Sequence, residues 1–299
     1  MRITLTGATG FIGSRLTERW IGEGHELHVL ARRRGKLPPE VRFWEWAQPT
    51  ESDPPPESLN GSDAVVNLAG EPVAQRWNED VKQRIKESRV AGTNRLVKAI
   101  STLERKPQVL VSGSAVGYYG SRGDEVLTEE SAQGQGFLAE ICQQWEAQAR
   151  QATELGLRVV CLRTGIVLGT ESGALPQMLT PFRLGVGGKL GSGKQWMPWI
   201  HIEDIVGLFD LALKSERLKG AVNGCAPNPV TNEDFSKELG AALHRPALIS
   251  VPEFSLKLLF GEMAQVVLAS DRALPKAALA AGYQFRFPML SSALSQLLP

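Results

Sequence analysis

The sequence predicts an α/β fold: a doubly wound parallel sheet with helices on both faces, joined by a smaller, mostly helical C-terminal lobe. Three observations carry that prediction. Short apolar runs alternate with amphipathic stretches of more than ten residues through about residue 225. A glycine-spaced turn, Thr6 to Gly13, joins the first apolar run to the first amphipathic stretch. After Pro227 the pattern turns mostly helical, and Thr231-Asn-Glu-Asp234 offers a capping-box start.

In chain order, Arg2–Thr6, Glu26–Ala31, Ala64–Ala69, Val109–Ser112, Arg158–Leu162 and Ala221–Cys225 read as strands, because each is short, apolar and bounded by turn residues. Between them, Phe11–Glu23, Trp77–Leu103, Phe137–Leu155 and Glu203–Ser215 are long enough and poor enough in breakers to be helices. Strands separated by helices close into right-handed βαβ units. Residues 35–62 interrupt the pattern with Pro38-Pro39, Pro54 to Pro56 and the aromatic patch Phe43-Trp44-Glu45-Trp46, which fits a loop-rich insertion holding one strand at most. Residues 185–199 are too rich in glycine for a helix and suggest a flexible hairpin beside a site. The expected division is a first domain over 1–170, which also receives strands and a helix from about 200–226, and a smaller lobe over 171–299 on the substrate side.

Composition narrows the class. Of 299 residues, 33 are basic and 32 acidic, a net charge of +1, with 42% hydrophobic content. That balance lacks the broad basic stripe of a nucleic-acid binder and the polarity of a disordered chain. Three cysteines, Cys142, Cys161 and Cys225, fall outside any CxxC or Cys/His cluster, so neither a disulfide frame nor a metal site is expected. No run reaches the roughly 18 apolar residues of a membrane span. Met1 leads directly into the first strand rather than into a secretory leader, so a cytoplasmic protein is expected.

The turn Thr6-Gly-Ala-Thr-Gly-Phe-Ile-Gly13 carries the first chemistry. Gly7 suits a tight turn, Gly10 a close approach of backbone to a pyrophosphate, and Gly13 close packing of helix on strand. Free N–H groups at the helix start attract the negative charge. This is the Rossmann fingerprint of a dinucleotide site. Where an acidic residue at the end of the second strand would favour NAD, this strand ends Leu30-Ala31-Arg32-Arg33-Arg34, and the guanidinium groups suit the 2′-phosphate of NADP. The competing reading of the three arginines is a solvated basic turn.

Beyond that turn, Asn67-Leu-Ala-Gly-Glu71, Ser88-Arg89, Ser112 to Gly120, Leu162 to Gly169, Pro181 to Gly185, Pro198 to Asp204, Asn223 to Asn232 and Gly282 to Pro288 together span nearly the whole chain. With these segments the sequence resembles the extended short-chain dehydrogenase/reductases, and within them the atypical branch of NAD-dependent epimerase/dehydratase-like "epimerase family" proteins, some of which carry a cell-division-inhibitor label. The resemblance implies cofactor contacts from Gly7, Thr9, Gly10, Phe11, Ile12 and Gly13 at the pyrophosphate and from Arg32 and Arg33 at the adenosine 2′-phosphate, with Ala31 a further cofactor contact. It implies Leu68, Ala69 and Gly70 along adenine and ribose, Ser112 at the next strand end, and Val167 over the nicotinamide end. Glu71 enters the cleft, and Arg84 and Arg89 are partners for a phosphate or a substrate anion, or else solvated helix arginines. A monomer or a homodimer is implied, with a small-molecule substrate of undefined identity.

Redox members of that superfamily use a Tyr-x-x-x-Lys pair, whose lysine lowers the tyrosine pKa from about 10 towards neutrality. Ser114 matches their orienting serine, but aligned through Gln144-Trp-Glu146 the tyrosine and lysine positions fall near Leu138 and Cys142. Tyr118 and Tyr119 are the remaining catalytic candidates with Ser114, and only Tyr118 has a cation, Arg122, four residues on. His201 is a further acid–base candidate or a structural residue. Glu140 and the acids of Gly123 to Ser131 could face a substrate, and Phe182, Trp196 and Trp199 could wall the cleft. Two functions follow: an NADP(H)-dependent epimerase or oxidoreductase on a small hydroxyl or carbonyl compound, or a catalytically quiet NADP(H)-binding sensor or interaction protein linked to cell division. RNA binding conflicts with the near-neutral charge.

Overall fold

In the computed structural model, which describes residues 1–298, the alternating pattern becomes a sheet of seven strands. The first half runs β1 (Arg2–Thr6), α1 (Phe11–Gly22), β2 (Glu26–Ala31), β3 (Arg42–Glu45), β4 (Ala64–Asn67), α2 (Glu79–Ser101), β5 (Val109–Ala115), β6 (Val126–Leu127), α3 (Phe137–Arg150) and β7 (Arg158–Thr164). After it come β8 (Ile166–Leu168), α4 (Ala174–Arg183), β9 (Gly188–Leu190), β10 (Trp196–Met197), β11 (Trp199–His201), α5 (Ile202–Lys214) and β12 (Gly220–Gly224). The rest is β13 (Val230–Thr231), α6 (Asn232–Ala242), β14 (Ile249–Val251), α7 (Glu253–Phe260), α8 (Ala264–Leu268), β15 (Arg272–Ala273), α9 (Lys276–Ala280) and α10 (Leu290–Leu297).

Strand order across the large sheet is β3-β2-β1-β4-β5-β7-β12, and every pairing is parallel. The order reverses between β1 and β4, and a reversal of this kind opens a crevice at the carboxyl ends of those strands. Alternation along each strand feeds two cores. Ile3, Leu5, Val29, Val66, Val111 and Val160 face Leu16 and Trp20 of α1 and Ile205 and Phe209 of α5. Leu30, Val65, Leu110, Val159 and Cys161 face Leu96, Val97 and Ile100 of α2 and Ala149 of α3. Burying each such side chain contributes about 1.5–3 kcal/mol, so the sheet is held between both helical layers.

Outside the large sheet, α4, β11, α6 and α10 pack into a C-terminal lobe around Leu179, Phe182, Trp199, Phe235, Leu239 and Leu294. Asp204, fully buried in the first turn of α5, ties that lobe to the large sheet. Its carboxylate accepts the N–H groups of Arg286 (2.8 Å) and Phe287 (3.0 Å) and the Tyr283 hydroxyl (3.2 Å).

Three expectations change. Phe137–Leu155 is an α-helix only to Arg150 and tightens to a 3-10 turn over Gln151–Leu155, where the helix closes on left-handed Gly156. Strands β5 and β7 run two or three residues past the expected ends, because Gly113, Ser114 and Ala115 continue the ladder against Leu162, Arg163 and Thr164. Residues 185–199 are not a hairpin: β9 pairs with β14, β10 with β13 and β11 with β8, so each short strand is secured to a different segment. Thr231 does cap α6, accepting the Asp234 N–H at 3.2 Å, while its hydroxyl donates to the Asp234 carboxylate at 2.6 Å.

Candidate cofactor cleft

The crevice is built from the ends of β1 and β4. The Thr6 hydroxyl accepts the N–H groups of Leu68 and Ala69, both at 3.0 Å, and donates to Asn67 Oδ1 at 2.7 Å. Asn67 Nδ2 in turn donates to Thr93 of α2 at 2.9 Å. One buried hydroxyl thus fixes the two strand ends that part around the crevice. Gly7 turns there with φ +72°, and a Cβ would meet the Leu68 carbonyl carbon at 2.7 Å; a Cβ on Gly13 would meet the Gly7 oxygen at 2.1 Å. Glycine at both positions is a packing requirement. It lets α1 start, without any side-chain cap, directly behind the turn, so the first N–H groups of the helix stay available to an anion.

Thr9 and Gly10 are exposed at the turn, while Phe11 and Ile12 are half-buried. The Phe11 ring packs into the space beside Gly169 and Gly173, where a Cβ would come within 2.5 and 3.1 Å of it. Val167 of β8 packs against the same core. Phe11 therefore anchors the turn, leaving its backbone for the ligand. Ala31 ends β2, and Arg32, Arg33 and Arg34 follow it, all exposed, with no ion pair or side-chain hydrogen bond among the described residues.

Past β4, Leu68 and Ala69 are half-buried and Gly70 is exposed. Glu71 is engaged: its carboxylate takes Gln75 Nε2 at 3.1 Å and lies 3.6 Å from Arg84. Arg89 Nη1 donates to the Glu71 carbonyl (2.9 Å) and the Ile85 carbonyl (3.2 Å), and burial pushes its guanidinium below the usual arginine value. Ser112 is fully enclosed, its hydroxyl on the Gly113 carbonyl at 3.1 Å, so it can offer the cleft only backbone.

Two of the three catalytic candidates, Ser114 and Tyr119, fall into one buried network that the sequence did not reveal. Ser114 Oγ donates to Glu146 Oε1 at 2.7 Å. Glu146, fully buried on α3, holds Arg163 of β7 through two bonds of 2.7 and 3.0 Å and also pairs with Arg150. Arg163 Nη1 donates to the Tyr119 hydroxyl at 2.9 Å, and that hydroxyl donates to Asn223 Oδ1 at 2.7 Å. Tyr119 is fully buried, which pushes its hydroxyl up to about 12. That hydroxyl stays protonated near neutral pH. Tyr118 is only half-buried; its ring lies under the Arg163 guanidinium at 3.4 Å, and its hydroxyl makes no hydrogen bond among the described residues. Arg122 is not its partner, because it pairs with Glu125 at 2.8 Å. An arginine inside an apolar strand, as in Leu162-Arg163-Thr164, was the available signal of a buried counter-charge.

Other candidates resolve into structural roles. Leu138 packs on Gly117, and Cys142 is buried with its thiol pushed up to about 11, so neither replaces the tyrosine or the lysine. His201 caps α5: Nδ1 accepts the Glu203 N–H at 3.1 Å, so Nε2 carries the proton and donates to Gln296 at 2.9 Å. Burial lowers its pKa, keeping it neutral. Phe182 and Trp199 belong to the lobe core. Glu140 is exposed, while Glu129 is a staple, accepting the N–H groups of Asn223 (2.9 Å) and Ala277 (3.1 Å).

One group escaped the sequence reading entirely. Asp271 is 7% exposed, its Oδ1 has no hydrogen-bond partner, and burial pushes its carboxyl up to about 7. It follows Ser270, which stitches the lobe to the loop after Tyr119 by bonding Gly123 (2.8 Å), Ser121 (3.1 Å) and Trp196 (3.0 Å). On the other flank, Glu262 pairs with Lys82 of α2 at 2.6 Å, and Met263 packs with Trp77, Phe137 and Leu138. Residues 262–271 therefore contact both α2 and the loop after Tyr119.

A family model described as the NAD dependent epimerase/dehydratase family matches residues 3–223. The chain belongs to that family. A second model, a domain of unknown function (DUF1731), matches residues 251–297. Among family relatives, the chain is 42% identical over 299 residues to the Arabidopsis thaliana chloroplastic SDR39U1 homolog, covering 98% of this chain and 86% of that protein. It is 37% identical over 300 residues to the epimerase family protein YfhF of Bacillus subtilis, covering 100% and 98%. The crystal structure of human SDR39U1 with NADPH superposes with a TM-score of 0.90 at 38% identity, covering 100% of this chain and 99% of that one. No helix among the described residues is long and apolar enough to cross a membrane.

Two predictions follow from the buried charges. Glu146→Gln leaves Arg163 enclosed without a counter-charge and should cost about 3–5 kcal/mol in urea denaturation; a loss below about 1 kcal/mol, the level of a surface pair, would contradict the network. Because the Asp271 carboxyl is raised above its unfolded value, the stability it contributes is present at low pH and lost as pH climbs through about 7. Asp271→Asn should therefore raise stability at pH 8, by up to about 4 kcal/mol, and leave it nearly unchanged at pH 4. Thermal melts showing the same difference at both pH values would count against it.

Proposed function

We propose that the chain is an NADP(H)-binding, epimerase- or oxidoreductase-like protein that works without a Tyr-x-x-x-Lys pair on a small hydroxyl or carbonyl compound. The observation that carries this reading is the pair Arg32 and Arg33, exposed and unpaired where β2 ends, at the edge of a crevice whose glycine turn leaves helix N–H groups free. An unpaired guanidinium pair in that position fits a phosphate through forked, charge-assisted bonds. The relative solved with NADPH supports the same choice.

In this reading Gly7, Thr9, Gly10 and Gly13 present backbone to the pyrophosphate, Arg32 and Arg33 hold the 2′-phosphate, and Leu68 to Gly70 line the adenosine side. When bound, the cofactor supplies or accepts a hydride. The Ser114 and Tyr119 hydroxyls serve the scaffold through Glu146 and Asn223, which leaves Tyr118 as the hydroxyl of the three that a substrate can reach. The Arg163 guanidinium stacked on the Tyr118 ring fixes the position of that ring. The sequestered hydroxyls also favour a second reading, a catalytically quiet NADP(H) sensor or interaction protein.

Isothermal calorimetry on the purified chain should show NADPH binding at least about tenfold more tightly than NADH, a difference of about 1.4 kcal/mol. Replacing Arg32 and Arg33 together by alanine should remove that preference while leaving NADH affinity unchanged. Equal affinities for the two cofactors before mutation would overturn the assignment.

A further inference from the structure

Asp271 is an acid that the fold leaves without a partner. Four carboxylates are buried among the described residues: Glu146, Asp204, Asp210 and Asp271. Glu146 holds Arg163, Asp204 accepts two backbone N–H groups and a hydroxyl, and Asp210 takes the Trp20 indole N–H and lies 2.6 Å from Arg19. Asp271 alone accepts nothing: Oδ1 is sealed and unpaired, while Oδ2 has no bond among the described residues and is not sealed from solvent. A carboxylate so placed costs free energy unless a ligand brings donors to it.

Its backbone cannot carry it out to water. The Asp271 N–H donates to the Trp196 carbonyl at 3.2 Å, and the Ser270 carbonyl accepts the Arg122 N–H at 3.0 Å. Ser270 Oγ donates to the Gly123 carbonyl at 2.8 Å, and Ala273 packs with Val116, Tyr119 and Cys225. The chain on either side of Asp271 is thereby pinned to β10 and to the loop that follows Tyr118 and Tyr119. Charges on these segments are engaged elsewhere: Arg272 lies over the Trp196 ring at 4.3 Å and forms no ion pair, Asp124 takes Trp196 Nε1, and Arg122 pairs with Glu125. Burial is thus what raises the Asp271 carboxyl, and above about pH 7 the fold gives up stability to keep an aspartate here. Such a sacrifice is ordinary where the missing partner is a ligand.

Asp204 shows what satisfies a buried carboxylate in this molecule: three donors reach it. An alcohol brings one donor, whereas a protonated amine brings three together with the opposite charge. We propose that Asp271 binds a protonated amine carried by the small-molecule substrate, at the junction of the loop after Tyr118, β10 and residues 270–273. This rests on the reading of a small hydroxyl or carbonyl substrate given above and adds an amino group to that compound; it does not depend on the choice of cofactor.

Ethanolamine and ethylene glycol, similar in size and differing by one ammonium in place of one hydroxyl, are the probes. Carbon-13 spectra of wild-type chain labelled at its aspartate carboxyls follow the titration, with the Asp271 resonance assigned by its absence from Asp271→Asn. Saturating ethanolamine should lower the Asp271 midpoint by at least about one pH unit, as expected of a cation that binds the ionised form about tenfold better, and leave exposed aspartates unmoved. Ethylene glycol at the same concentration should move it by less than about 0.3 unit. Ethanolamine should also bind Asp271→Asn at least about tenfold more weakly than wild type. Equal shifts with the two probes would assign the carboxyl to a hydroxyl and overturn the proposal, as would a midpoint that neither probe moves. NADPH calorimetry on the same wild-type sample keeps the two readings apart: an ethanolamine shift without NADPH binding would sink the cofactor reading and support this one.

Discussion

The buried pair of Arg163 and Glu146 is the constraint from which the centre of the molecule is organised. Two opposite charges removed from water stabilise a fold only when geometry is good and every remaining donor and acceptor is used. Here they are used: Glu146 also takes Ser114, and Arg163 also reaches the Tyr119 hydroxyl. That hydroxyl continues to Asn223 of β12, whose amide donates to the Leu274 carbonyl at 3.0 Å in the C-terminal lobe. One chain of polar contacts therefore runs from α3 through β5, β7 and β12 into the lobe. A side effect is chemical: two hydroxyls at the mouth of the sheet are committed to structure.

Cations in the cleft divide accordingly into satisfied and unsatisfied. Arg163 is neutralised by protein, whereas Arg32 and Arg33 on one side and Arg89 on the other keep donors idle. A net charge of +1 conceals this arrangement, because what matters for an anionic dinucleotide is where unpaired charge stands. The Thr6 hydroxyl and the close-packed Gly7 and Gly13 hold the crevice open between those two stations.

How much of this was legible in the sequence depended on distance along the chain. Local signals were sufficient for the strands, the glycine turn and the exposed arginines after β2, since each is written in consecutive residues. The expected ends of β5 and β7 fall short because Ser114 and Arg163 are polar residues that strand periodicity excludes, yet both are made acceptable by Glu146, 32 and 17 residues away. Residues 185–199 read as a self-contained hairpin for the same reason: glycine spacing reports turns, while the partners of β9, β10 and β11 lie elsewhere. Asp271 was invisible, because an unpartnered carboxylate in Ser270-Asp271-Arg272 looks like any surface acid until burial is known.

In the proposed function, the cofactor meets a cleft whose serine and buried tyrosine are already committed to the Arg163–Glu146 network. A crystal structure of the chain grown with NADPH tests it most directly. Density is expected for the 2′-phosphate against Arg32 and Arg33, with Ser114 still bonded to Glu146 and Tyr119 still bonded to Asn223. A complex in which Tyr119 has left Asn223 and turned its hydroxyl onto the nicotinamide would contradict it.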